Sequence, residues 1–391
     1  MNDHTKFPAK LRLLLMRLCL VAVAGIFSLI LLELFLRFFA SQELIVPMPA
    51  QADKELIYTM PPNTKAYLKG TSTRWFHLNI NSLGLRDREH DFSKKPGVFR
   101  VMLLGDSMSM AEGAELEETY IKQFEEMANQ HSPTQIIETI NAAVRGYGND
   151  QEVLFFERVG PKFHPDLVIL GFYEENDFAD NRRGGIFRLD GDKLVQTIPT
   201  KQNSSKLMYY SSQIRIQNFP GYRFLVGHSH LVNLLRKRVA HYLSHASFRV
   251  DRAEPAAKPG ISESDWKLTL KILERWVADC RQAGAIPLIL FIPSKENVLD
   301  LKAGKLAQSM RADLRLREFA LARDILWINL LEPFAQSSKP ERLYLTEGHL
   351  SPEGHKKVAE EILGYLVDPE EVLNKLVTPA RDNSSRVGQG R

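Results

Sequence analysis

Five short apolar runs recur along the chain, at Phe99 to Leu104, Ile136 to Ile140, Leu167 to Phe172, Ile286 to Ile292 and Ile325 to Leu330. Each has the length of one buried strand. Between them lie amphipathic stretches predicted as helices near Glu115 to Gln130, Asp150 to Val159, Glu263 to Ala283 and Lys305 to Ala322, with another at Pro352 to Val367 after the last run. Strands that alternate with helices form a parallel sheet covered on both faces, and right-handed crossovers leave few topologies open. The fold class is therefore α/β, with a five-stranded parallel sheet. In such a sheet, chemistry gathers where the strands end.

The segment from Leu18 to Leu36 is apolar apart from Ser28 and Glu33 and is about long enough to cross a bilayer. Lys6, Lys10, Arg12 and Arg17 precede it, so the positive-inside bias predicts a cytoplasmic N-terminus and an extracytoplasmic remainder. Glu33 and Arg37 are spaced to pair on one helix face. A cleavable signal peptide is the rival reading, with Ala22-Val23-Ala24 resembling a cleavage site, but the apolar run continues well past it. The layout predicted for the 391 residues is a cytoplasmic N-terminus (1–17), a transmembrane anchor (18–39), a stalk and lead-in region (40–95), a catalytic-type domain (96–370) and a disordered tail (371–391). The gap between the third and fourth strands is far longer than an ordinary connection, so 181–260 is read as an insertion, hairpin-like at first and carrying a basic amphipathic helix at Leu231 to Leu243. A net charge of +4 gives no reason to expect a nucleic-acid partner. Cys19 and Cys280 lack metal or disulfide spacing, and His228, His230, His241 and His245 have no carboxylate or cysteine to complete a familiar metal motif. No cofactor and no metal is expected.

Gly105-Asp106-Ser107 follows the first run, placing a serine hydroxyl on a tight turn at a strand end. A nucleophilic serine needs a base, a group that orients the base, and donors for the developing oxyanion. His349 lies on the loop before the last helix, whose start is marked by Ser351 as N-cap and Pro352 at the first position. His355 falls inside that helix and is read as packed or capping. Gly146, in the glycine turn after the second strand, is expected to present its N–H, and Asn176, after the third, its side-chain amide.

Ser107, Gly146, Asn176 and His349 come in the order of the four blocks of the SGNH (GDSL-like) hydrolase superfamily, which the chain resembles from about Asn79 to Leu366. Asn81-Ser82-Leu83-Gly84-Leu85-Arg86 resembles the lead-in of membrane-anchored bacterial members. The resemblance implies a flavodoxin-like, three-layer α/β/α SGNH hydrolase fold preceded by one transmembrane helix. It also implies a Ser-His-acid mechanism: Ser107 as nucleophile, His349 as base, and the Ser107 N–H, Gly146 and Asn176 as the oxyanion hole. Two departures stand out. Thr346 occupies the position three before the histidine, where many members have Asp, and Glu347 the position of the Asp-x-His variant, so Glu347 is the candidate orienting acid. Met108 replaces the leucine of the family's common name.

The resulting expectation is an extracytoplasmic serine esterase or O-acyltransferase in the inner membrane. It would act on an ester, an acetyl group foremost, of a cell-envelope or exported polysaccharide. Its partners would be the acylated carbohydrate, the membrane and other polysaccharide-processing envelope proteins. The alternative is an inactive SGNH scaffold that binds a glycan or a membrane partner. A flavodoxin-like nucleotide binder fits the sheet but lacks a phosphate-cradling glycine pattern.

Overall fold

The computed structural model describes residues 9–42, 44, 48–69, 74–131, 136–197, 214–247, 261–307 and 311–367. The tail 371–391 lies outside them, as do parts of the insertion. The described residues form two compact units.

The larger unit opens with two antiparallel pairs, β1 (Gln51–Asp53) with β2 (Ile57–Thr59) and β3 (Lys65–Leu68) with β4 (Phe76–Asn79). The central sheet follows: β5 (Val98–Gly105), β6 (Ile136–Asn141) and β7 (Leu167–Tyr173), then, after a small hairpin of β8 (Phe187–Asp190) and β9 (Lys193–Gln196), β10 (Ile286–Ile292) and β11 (Leu326–Asn329). These five strands are parallel in the order β11-β10-β7-β5-β6. Counted along the sheet strands alone, this is the flavodoxin-like 2-1-3-4-5 order, with its switch point between the first and third. Val101 to Leu104, Leu167 to Leu170 and Leu288 to Ile292 are fully buried, as strands covered on both faces must be. The helices Tyr120–His131 and Pro352–Val367 pack together in one layer, and Asn149–Val159 with Glu263–Gln282 in the other.

Two helices differ from expectation. Tyr120–His131 is shorter than the predicted Glu115 to Gln130, because the Thr119 hydroxyl bonds back to the Leu116 carbonyl and Thr119 itself is extended, separating a one-turn 3-10 segment (Leu116–Glu118) from the α-helix. The helix expected from Lys305 begins only at Ala312. Before it, the chain turns at Gly304 and folds back, with Lys305 and Leu306 N–H bonded to the Asp300 carbonyl at the end of a helix not foreseen, Lys295–Lys302.

The smaller unit combines the N-terminal helix Ala9–Phe39 with residues 216–247 of the insertion. Lys10–Phe39 is long and apolar enough to cross a membrane, and its surface is exposed nearly throughout. The insertion contributes the helices Pro220–His228 and His230–Ser247, the second somewhat longer than the predicted Leu231 to Leu243. As spacing suggested, Arg37 pairs with Glu33 at 3.2 Å.

Candidate active site

The turn after β5 is built around Asp106. Its carboxylate accepts from Met108 N–H at 2.8 Å, so it caps the short helix Ser107–Met110 and makes Ser107 the first residue of that helix. First-turn N–H groups have no acceptor inside a helix, which leaves the Ser107 N–H suited to an anion. Close packing beneath the turn explains two glycines. The Ser109 hydroxyl, which accepts from Tyr120 Oη at 2.7 Å, sits between the ends of β5 and β7, and a Cβ on either Gly105 or Gly171 would collide with it.

His349 approaches from the other end of the chain. Tyr344 and Leu350 form an antiparallel bridge, Leu345 N–H bonds the His349 carbonyl at 2.7 Å, and Tyr344 Oη donates to the Pro293 carbonyl just past β10. That tight loop holds the imidazole over the switch point: His349 Nε2 lies 2.9 Å from Ser107 Oγ. The sheet thus brings the first and last of the four blocks noted in the sequence together at one end of its strands.

No family model and no curated protein matches the chain. Solved structures similar to it include TesA, at 12% identity over 68% of this chain and 98% of that one with a TM-score of 0.38. Others are the acetyl xylan esterase AlAXEase, at 14% over 69% and 100% with a TM-score of 0.41, and the lipase/acylhydrolase from Enterococcus faecalis, at 12% over 68% and 93% with 0.36. Likeness at this level says nothing of activity, which rests on the residues of the site.

The remaining residues expected from the SGNH pattern have distinct surroundings. Glu347 Oε1 stands 3.8 Å from His349 Nδ1, an ion-pair distance longer than a hydrogen bond. Burial disfavours the imidazolium, yet the carboxylates of Glu347, Glu112 and Asp106 outweigh it and raise the His349 pKa above its ordinary value. Gly146 has φ of 75° and a Cβ there would come within 2.9 Å of Tyr58 Oη, so no other residue fits without strain. Asn176 Nδ2 donates to Asp106 Oδ2 at 2.9 Å, tying the third block to the first. His355 is fully buried, accepts from Tyr120 N–H at 3.3 Å and has its pKa lowered to about 3 by burial. It packs, as its helical position implied.

Several residues that shape the site had no role assigned to them from the sequence. Arg86 is buried; its guanidinium donates to the carbonyls of Met110 and Ala111 at 2.5 and 2.8 Å, closing the end of the Ser107 helix, and to Ala114 at 2.5 Å. Burial lowers its pKa to about 10, which leaves it charged at neutral pH. Next to it, Asp87 accepts from Asn141 N–H at 2.7 Å and pairs with buried Lys122 at 2.7 Å. The lead-in motif is thus a clamp on the first two strand ends. Tyr58 Oη donates to the Arg145 carbonyl at 2.7 Å and Tyr147 Oη to the Tyr58 carbonyl at 2.6 Å, fixing the Gly146 turn from both sides. Arg145 in turn pairs with buried Glu112 at 2.8 Å. Behind Asn176, the Asp177 carboxylate accepts from Tyr173 N–H and from Asn149, which also bonds Glu152. Only the motif Asn81 to Arg86 carried a signal in the sequence; the partners of Tyr58 and Glu112 are set by tertiary contact.

Proposed function

We propose that the chain is a serine esterase or O-acyltransferase, anchored by its N-terminal helix with the larger unit outside the inner membrane, and acting on an ester of a cell-envelope polysaccharide. The observation that carries the chemistry is the 2.9 Å contact between His349 Nε2 and Ser107 Oγ, which is within nucleophile–base reach. His349 takes the Ser107 proton as Oγ attacks the ester carbonyl. The Ser107 and Gly146 N–H groups and the Asn176 amide hold the oxyanion, with Asn176 kept in place by its bond to Asp106. Collapse of the tetrahedral intermediate breaks the C–O bond, and His349 gives its proton to the departing alkoxide. Water or a sugar hydroxyl, deprotonated by His349, then takes the acyl group, and Ser107 recovers its proton. Glu347 and the neighbouring carboxylates stabilise the imidazolium at both proton transfers.

The sugar polymer, the acetyl group and the outward orientation follow from the resemblance and from the basic residues ahead of the span. The purified full-length protein, given an activated acetyl ester, is expected to turn it over, and Ser107→Ala and His349→Ala are each expected to lose about 10³-fold or more. Equal background turnover in all three proteins would favour the binding scaffold instead. Supplying candidate polysaccharides separates the acceptors, since transfer yields acetylated polymer and hydrolysis yields acetate alone.

A further inference from the structure

Glu33 is the only charged residue in the apolar stretch Leu18 to Leu36. At 1.5 Å per residue that stretch is about 28 Å long, close to the roughly 30 Å of a bilayer's hydrocarbon core, and Glu33 lies about 4 to 5 Å inside its outer end. A carboxylate at that depth is costly unless it is paired. Here it is paired by the insertion. Ser229 Oγ donates to it at 2.8 Å, and His230 and Leu231 N–H, the first donors of the helix His230–Ser247, at 2.9 Å each. One turn later Arg37 donates at 2.7 Å to the carbonyl of His228, the last residue of the helix Pro220–His228. Acid meets the N-terminus of one helix and base the C-terminus of the other, as their dipoles favour. Gln42 N–H adds a bond to His230 Nδ1 at 2.7 Å. The joint between the two helices is therefore docked at the depth where the span leaves the hydrocarbon.

The surface that this docking leaves is apolar. Leu36 and Val226 are buried, whereas Phe219, Phe224, Leu225, Leu235 and Val239 are 46–64% exposed. Apart from the Phe224 ring, which stacks on His228 at 4.4 Å between centroids, these side chains turn apolar surface to solvent beside a membrane span, where transfer into lipid is favourable. On the second helix they adjoin Arg236, Lys237 and Arg238. Apolar side chains with an adjoining basic run mark a helix that lies in a membrane interface. We infer that the helices Pro220–His228 and His230–Ser247 are a second membrane attachment, lying in the outer interface with Phe219, Phe224 and Leu225 among the acyl chains and the basic run toward lipid phosphates. The ligand of this surface is the phospholipid bilayer.

This inference rests on the span being a true anchor, and one experiment separates the two. The full-length protein, with Cys19→Ser to leave only buried Cys280, is spin-labelled at Phe224→Cys, at Val21→Cys in the span or at Lys356→Cys on the larger unit, and placed in nanodiscs of phosphatidylethanolamine and phosphatidylglycerol. Collision with oxygen, which partitions into lipid, is compared with collision with a water-soluble nickel chelate. The label at 224 is expected to favour oxygen several-fold, as at 21, with the opposite at 356. An aqueous signature at 224 with a lipid signature at 21 overturns the second attachment alone; exclusion of both reagents at 224 overturns it in favour of a protein partner. An aqueous signature at 21 overturns the anchor and the inference with it. Leu235→Cys repeats the measurement on the second helix should Phe224→Cys fail to fold.

Discussion

His349 sits between two demands. As the proposed base it must be neutral, and its carboxylate neighbours favour the charged form, so its pKa is raised. The rate is expected to fall as pH drops through a value above the ordinary 6.5 of a histidine. Glu347→Gln removes one source of that shift and is expected to move the acid limb of kcat/KM to lower pH while reducing kcat; a profile that does not move would show that Glu347 plays no part in the imidazole's charge. The 3.8 Å separation predicts a milder loss than removal of a directly bonded aspartate, about 10- to 100-fold against the roughly 10⁴-fold known for such a triad. Gly146→Ala is expected to cost about 1 to 3 kcal/mol of stability in urea unfolding and most of the activity, since both its φ and Tyr58 oppose a methyl group. At this scale the sequence was readable where chemistry restricts residue type and order: Ser107 follows the end of its strand directly as the first residue of a helix, and His349 reaches it from the loop before the last helix. Asp106 was less transparent. It caps the Ser107 helix, as an aspartate in such a turn commonly does, and also bonds Asn176, a partner that a three-residue motif cannot display.

At the scale of elements, the five strands stand close to their apolar runs because a strand buried on both faces has little freedom in composition. The boundaries that moved, at Thr119 and before Ala312, are set by a side-chain bond to the backbone and by a glycine turn, neither of which changes hydrophobic periodicity. The helix Asn149–Val159 begins among buried carboxylates. Burial raises Asp150 to about 7 and also raises Glu152 and Asp177. A carboxyl group with a raised folded-state pKa is protonated in the folded chain while the unfolded one ionises, so its contribution is present below about pH 4 and is lost as pH rises through about 7. Asp150→Asn is accordingly expected to be more favourable, relative to wild type, at pH 8 than at pH 5, by about 2 to 4 kcal/mol in denaturant unfolding. An equal effect at both pH values would show that Asp150 is ionised in the folded protein.

For the whole molecule, an uncleaved anchor is expected to keep the protein in the membrane fraction through an alkaline carbonate wash, with Ala9–Phe39 recovered by mass spectrometry; a soluble product beginning after residue 24 would mark a signal peptide. The long gap in the sequence announced an insertion but not its destination. That depends on Glu33 meeting Ser229 and His230, a contact across nearly two hundred residues that no local pattern encodes.

Buried Arg86 bears on where a working enzyme begins. Every side chain proposed to touch the ester lies after residue 96, yet the carbonyls that end the Ser107 helix are held from upstream. Removing that guanidinium takes the donor from the buried Met110 carbonyl, at about 1 to 3 kcal/mol, and leaves the Ala111 carbonyl with the Ala114 N–H alone, at 3.2 Å. Arg86→Met is therefore expected to lower the urea midpoint sharply, and a gene fragment starting at the first sheet strand to yield a protein with its reactive groups present but no rigid turn to aim them. Inheritance and recombination of the proposed activity would have to carry the segment that holds Arg86 along, as one cassette with the sheet.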